Sequence, residues 1–131
     1  MKKRVLDTSV LIKYWRQCRR ITQATKTADV VNWAKKLIEM HDSDAIVTPV
    51  CVEILAGVAS RSELQLTRAY LQQFRCIDNQ RITSDDWQNA IRLAQWIPRD
   101  SKPRDLGDCL IRAIADRLRY EVLTYDRGFP R

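Results

Sequence analysis

The stretch RVLDTSVLI, residues 4–12, decides how this chain is read. Val5 and Leu6 make an apolar run too short for a helix, so they predict a buried strand. Asp7, Thr8 and Ser9 follow at once, and Val10, Leu11 and Ile12 open a helical pattern that continues through Tyr14 and Trp15. A carboxylate therefore stands where the first strand turns into a helix. In an open parallel sheet, ligands and chemistry collect at the C-terminal ends of the strands. Asp, Thr and Ser are also ordinary N-cap residues, so Asp7 alone proves nothing and its companions must decide.

Working outward, residues 16–25 are polar and basic and predict a loop. From Thr27, with Asp29 in the first turn, Val30, Ala34, Leu37, Ile38 and His41 recur at helical spacing. Asp42, Ser43 and Asp44 break that helix, and Ala45, Ile46 and Val47 read as the second strand. Thr48 and Pro49 predict a helix start, Thr as N-cap and Pro at the first helical position. The helix they open, residues 50–58, is apolar except at Glu53. A further helix over about residues 62–74 leads to a weak third strand at Cys76 and Ile77. Thr83 or Ser84 caps the next helix, with Asp85 and Asp86 as first-turn charges, Trp87, Ala90, Ile91 and Ala94 as its buried stripe, and Pro98 closing it. After a polar loop over residues 99–104, Asp105 is the expected cap of a helix carrying Leu110, Ile111, Ile114, Ala115 and Leu118. Residues 121–124 predict the fourth strand and residues 125–128 a turn. Strands alternating with helices indicate an α/β fold, one domain over residues 1–131, with a parallel sheet of about four strands flanked by helices.

At 131 residues the chain is long enough to bury one sizeable core. No apolar run approaches the length of a membrane span, and the N-terminus reaches Asp7 before a signal-like stretch forms, so a cytoplasmic protein is expected. The four cysteines, Cys18, Cys51, Cys76 and Cys109, form no CxxC pair and predict neither zinc nor a disulfide framework. The single histidine, His41, excludes paired-histidine acid–base chemistry and a multi-histidine metal site. The net charge is +7, from 23 basic against 16 acidic residues. If four acids share one site, twelve are left to face 23 bases. A basic surface around an acidic pocket suits a polyanion held by its backbone.

Four carboxylates share one address: Asp7 after the first strand, Glu53 early in the helix after the second, Asp108 opening the last long helix, and Asp126 after the fourth strand. Each has a plain alternative as a solvated, first-turn or turn residue. Glu53 is hardest to dismiss, because a charge inside Val-Cys-Val-Glu-Ile-Leu-Ala-Gly-Val is costly unless paired. Clustered acids repel and raise one another's pKa. Magnesium or manganese removes that penalty and binds carboxylate, water and phosphate oxygens. Such ions activate water and stabilise a leaving oxygen, so the expected chemistry is phosphodiester hydrolysis without a protein nucleophile.

DTSVLI at Asp7, Val-Glu-Ile-Leu-Ala-Gly at Glu53, Asp108-Cys-Leu-Ile-Arg-Ala-Ile-Ala, and Leu-Thr-Tyr-Asp126 together resemble the four acidic motifs of PIN-domain ribonucleases. The chain is most similar to the VapC toxins of toxin–antitoxin pairs, from Arg4 to about Phe129. The resemblance implies a three-layer PIN-like fold and a magnesium- or manganese-dependent endoribonuclease, usually dimeric and inhibited by a VapB-type antitoxin. It carries over Asp7, Glu53, Asp108 and Asp126 as metal-site acids, with Thr8, Ser9 and Thr124 as supporting polar residues. Asp105 precedes its matched motif by three residues and is also readable as a cap. Ser9 stands where the family often has Asn, and Arg112 where it has a small residue. The sequence reaches Phe129-Pro130-Arg131 without the short final strand many relatives possess.

Lys13, Arg16, Arg104 and Arg127 adjoin these motifs and are expected to steer an RNA backbone. Val10, Leu11, Tyr14 and Trp15 offer more apolar surface than one stripe against the sheet needs, and could wall a groove for an antitoxin helix. A basic residue of that partner would compete with metal for the carboxylates. A receiver domain needs an early acidic pair and a late lysine, and an aspartyl phosphatase a second acid where Ser9 stands. A Rossmann domain needs a glycine fingerprint that is missing. The remaining alternative is a catalytically silent PIN module that binds RNA or a protein partner.

Overall fold

The computed structural model describes residues 1–21, 24–96 and 103–130. Its elements are β1 (Arg4–Leu6), α1 (Thr8–Ile21), α2 (Thr27–His41), β2 (Ala45–Ile46), α3 (Thr48–Ala56), α4 (Arg61–Leu71), β3 (Arg75–Cys76), α5 (Ser84–Ala94), α6 (Leu106–Leu118) and β4 (Glu121–Leu123). The four strands form one sheet in the order β3-β2-β1-β4, every pairing parallel. This is the α/β arrangement expected from the sequence. The chain runs outward from β1 to β2 and β3, then returns to add β4 on the other side of β1. The switch point of the sheet therefore lies between β1 and β4, where α/β folds open their functional crevice. There the ladder extends one residue past the strands: Asp7 N–H donates to Leu123 O at 2.9 Å.

The core gathers Val5 and Leu6 of β1, Val10 and Leu11 of α1, Val30, Ala34 and Leu37 of α2, Ile46 and Val50, and Ile111 and Ile114 of α6, all essentially without solvent contact. A smaller cluster of Ala90, Leu93, Cys109, Leu110 and Ala113 joins α5 to α6. Cys109 is buried, whereas Cys51 is only partly so. No helix of the described residues is long and apolar enough to cross a membrane.

Four expectations about single elements are corrected. Residues 16–21 are not loop but the last part of α1. Arg and Gln are good helix formers, and Cys18 packs on the core, which extends the buried stripe by a turn. Residues 22 and 23 lie outside the described set. Thr48 does not cap α3; Val47 occupies the N-cap and Thr48 is the first helical residue. The free amide of Thr48 donates to Asp78 Oδ2 at 3.0 Å, and its hydroxyl to Asp78 Oδ1 at 2.8 Å. A buried aspartate after β3 thus supplies from a distance the cap that Thr48 does not.

The α5 stripe is also rotated from its expected phase. Asp86, Ala90 and Leu93 are buried, whereas Trp87 and Ile91 are 44% and 59% exposed. The helix turns this way because Asp86 faces α6, where Arg117 Nε and Nη2 donate to its carboxylate at 2.7 and 2.9 Å. Asp86 is a first-turn charge in a capping box with Thr83, as expected, but it is also a buried ion pair. Pro98 and most of the expected loop over residues 99–104 lie outside the described residues. Finally, the apolar residues of α1 divide: Val10 is buried in the core, while the half-buried Tyr14 and Trp15 pack on it and Leu11 and Trp15 also wall a cavity. Trp15 makes edge contacts with Trp33 and Tyr70, ring centroids 5.4 and 4.9 Å apart.

Candidate active site

Asp7 leaves β1 with its side chain 2% exposed. Its Oδ2 accepts from the hydroxyls of Ser9 at 2.8 Å and Thr124 at 2.7 Å. This carboxylate is tied across the switch point to the end of β4. Its other oxygen, Oδ1, is buried without a hydrogen-bond partner. A buried anionic oxygen left this way is costly unless a cation meets it. The two hydroxyls are fixed in turn: Ser9 Oγ accepts from Tyr125 N–H at 3.0 Å, and Thr124 Oγ1 from Asp126 N–H at 3.0 Å.

The other acids arrive from three directions. Glu53 reaches in from α3 and accepts from Thr8 Oγ1 at 3.2 Å. Asp105 caps α6, its Oδ1 accepting from Asp108 N–H at 3.1 Å. It is therefore both the cap and a wall of the site, and the two readings of it do not compete. Asp126 closes its own turn by accepting from Gly128 N–H at 2.9 Å. Asp7, Thr8, Ser9, Glu53, Asp105, Asp108 and Asp126 all line one cavity of about 410 Å³, together with Lys13 and Arg16.

Crowding shows in the titration of these groups. Burial, then the charges of Asp7, Asp105 and Asp126, push Asp108 up to about 8. Burial also raises Glu53, with Asp105 and Asp7 adding to the effect and the Thr8 hydroxyl bond opposing it. Like charges forced together in one cleft mark a place built for a counter-ion. Among the described residues no group of three or more His, Cys, Asp or Glu side chains is arranged to hold a metal ion. An open set of hard carboxylate oxygens around a cavity with room for several waters suits magnesium, which retains several waters and takes few protein ligands. The orphaned Asp7 Oδ1 and the donor set therefore fit a divalent cation.

Of the four bases expected beside the site, Lys13 and Arg16 line the cavity, and the Lys13 ammonium stands 5.0 Å over the Tyr125 ring. Arg104 is engaged otherwise: its Nη1 donates to Gly128 O at 2.9 Å and its Nε to Trp96 O at 3.2 Å, bracing the turn behind Asp126. Arg127 is exposed and absent from the cavity lining. The sequence reading missed Gly107. A Cβ there would collide with the Glu53 carboxylate, and a glycine inside the first turn of an expected helix was the available signal.

No curated protein matches the chain. The family model described as PIN domain matches residues 4–131 and so spans all five acids of the cavity. The chain belongs to the PIN-domain family, whose members are typically metal-dependent nucleases.

Proposed function

We propose that this protein is a metal-dependent endoribonuclease acting as a VapC-like toxin. The observation that carries the catalytic part is the buried, partnerless Oδ1 of Asp7 inside a cavity lined by Glu53, Asp108 and Asp126. Asp7, Glu53, Asp108 and Asp126 would hold magnesium or manganese. Bound there, the ion supplies an activated water and offsets charge on the leaving oxygen. Thr8, Ser9 and Thr124 fix the carboxylates by the hydroxyl bonds given above. Asp105 holds the start of α6, and with it Asp108, in register. Lys13 and Arg16 would draw the phosphate backbone toward the acids, offsetting their repulsion of a polyanion.

The toxin assignment rests on the resemblance of the four motifs to VapC proteins. A VapB-type antitoxin would inhibit by setting a basic side chain among the carboxylates, in competition with metal. A second copy of the chain would cover the exposed face of Trp87, Ile91 and Leu106, which line one shallow hollow between α5 and α6. Purified protein should cut RNA with magnesium or manganese and stop with EDTA, and co-expression with the antitoxin should rescue growth. RNA binding that survives without any metal-dependent cutting would instead support a catalytically silent PIN module.

A further inference from the structure

A second cavity, of about 170 Å³, opens beside the acid cluster, and Ile12, Arg16 and Glu53 line both. Its walls are apolar: Leu11 and Trp15 of α1, Ile54 of α3, Val58, and Tyr70 of α4. The aromatic wall is preformed. Trp15 and Tyr70 brace each other edge to face, and the Tyr70 hydroxyl donates to Leu11 O at 3.0 Å. Against this apolar lining stand two polar groups of α4, Glu63 and the nearly buried Thr67. Ser60 caps α4 through Glu63 N–H at 3.2 Å, which fixes the backbone beneath the Glu63 carboxylate. Among the described residues that carboxylate makes one long, exposed ion pair, 3.5 Å from Arg19 Nη1.

A partly apolar cavity with a carboxylate acceptor, adjoining the acid-lined cavity, has the chemistry of a nucleobase pocket. Sequence-specific proteins read single-stranded RNA by splaying a base out and bonding its Watson–Crick edge. Only guanine presents two adjacent donors there, N1–H and the N2 amino group, to a single carboxylate. We infer that the cavity between α1, α3 and α4 seats a guanine next to the scissile phosphate, with Glu63 accepting from its Watson–Crick edge and Arg16 at the shared rim meeting the adjoining phosphate. This assignment rests on the ribonuclease reading of the neighbouring acids.

The test compares cleavage of short RNAs with guanine, inosine, adenine, cytosine or uracil at each position around the cut. Wild type should prefer guanine at one fixed position by at least about tenfold, and inosine, which lacks the N2 amino group, should lose most of that preference. Glu63→Gln, which replaces one acceptor with a donor, should lower the guanine-to-inosine ratio, and Val58→Phe, which fills the cavity, should erase it. Binding of the same labelled oligonucleotides to the Asp7→Asn protein, read by fluorescence anisotropy, should give the same order without any cutting. Absence of cleavage in every RNA would overturn the nuclease reading, while the binding arm would still decide the pocket. Equal binding of guanine and inosine, or a ratio untouched by Glu63→Gln, would overturn the pocket. So would a Val58→Phe protein that keeps its base preference while losing a co-expressed protein partner.

Discussion

A Cβ on Gly107 would stand 2.6 Å from Oε1 of Glu53 and 2.8 Å from its Cδ. The missing side chain of one helix is thus the space that the carboxylate of another occupies. The colliding group is the free end of a flexible side chain, so Gly107→Ala should displace Glu53 without disturbing the backbone. Alanine also favours the helix by up to about 1 kcal/mol. Thermal melts should show a variant as stable as wild type or more so. Its cleavage rate should fall about ten- to a hundredfold, as expected when a positioned group moves by roughly an ångström. A variant cutting at the wild-type rate would show that Glu53 works equally well elsewhere.

The Asp86–Arg117 pair should matter to stability and not to chemistry. Asp86 is fully buried. Although burial works against its ionised form, the Arg117 and Thr83 bonds outweigh this and hold its carboxyl below the usual range. Asp86→Ala leaves Arg117 without its partner and removes a cap, a loss of about 2–4 kcal/mol. Because the folded-state pKa is depressed, this contribution is present above the unfolded value near pH 4 and disappears as pH falls through the folded one. Urea unfolding of wild type and variant at neutral and acid pH should show the difference shrinking toward acid.

Asp108 has the opposite sign. Its folded-state value near 8 lies above that of the unfolded chain. The metal-free protein therefore gains stability from this group at low pH and loses it as pH rises toward about 8. Magnesium must displace the proton, so its stabilising effect should grow over that same range. Melts with and without magnesium between about pH 6 and 9 should show the two curves diverging. Asp108→Asn should flatten both. A magnesium effect independent of pH would place the ion away from Asp108.

These cases show which parts of the molecule were readable from its sequence. The strand ending at Asp7 and the cap at Asp105 were legible because their signals are local: a short apolar run, and an acid three residues before the amide it bonds. The cap that Asp78 gives α3 was not legible, because it comes from a turn 30 residues away. The phase of α5 was misread because Trp87 looks like a core residue. Its burial is decided instead by an ion pair to Arg117, which no periodicity within α5 encodes. The four acids were recognisable as a motif set, whereas the room Gly107 leaves for Glu53 exists only once α3 and α6 are packed.

Of the described bases, Lys13 and Arg16 line the acid cavity and should govern RNA attachment there directly. Removing either should flatten the dependence of log affinity on log salt by roughly 0.7 for a single strand. Arg104→Ala should instead cost about 1–2 kcal/mol of stability, because its guanidinium holds two backbone carbonyls. Anisotropy titrations of a labelled RNA at several salt concentrations, alongside melts, separate the two roles. A salt slope changed by Arg104→Ala and not by Arg16→Ala would reverse the assignment.

Asp7, buried with one oxygen unpartnered, is proposed to hold the catalytic cation. The most direct measurement is single-turnover RNA cleavage by wild type and Asp7→Asn across a magnesium titration, with melts of the same samples. The metal-free variant should melt at or above wild type, gain little from magnesium, and cut RNA at least about a hundredfold more slowly at every concentration. A variant that melts well below wild type without metal, yet still cuts at the wild-type rate when folded, would contradict it: Asp7 would then be a structural residue tying β1 to β4.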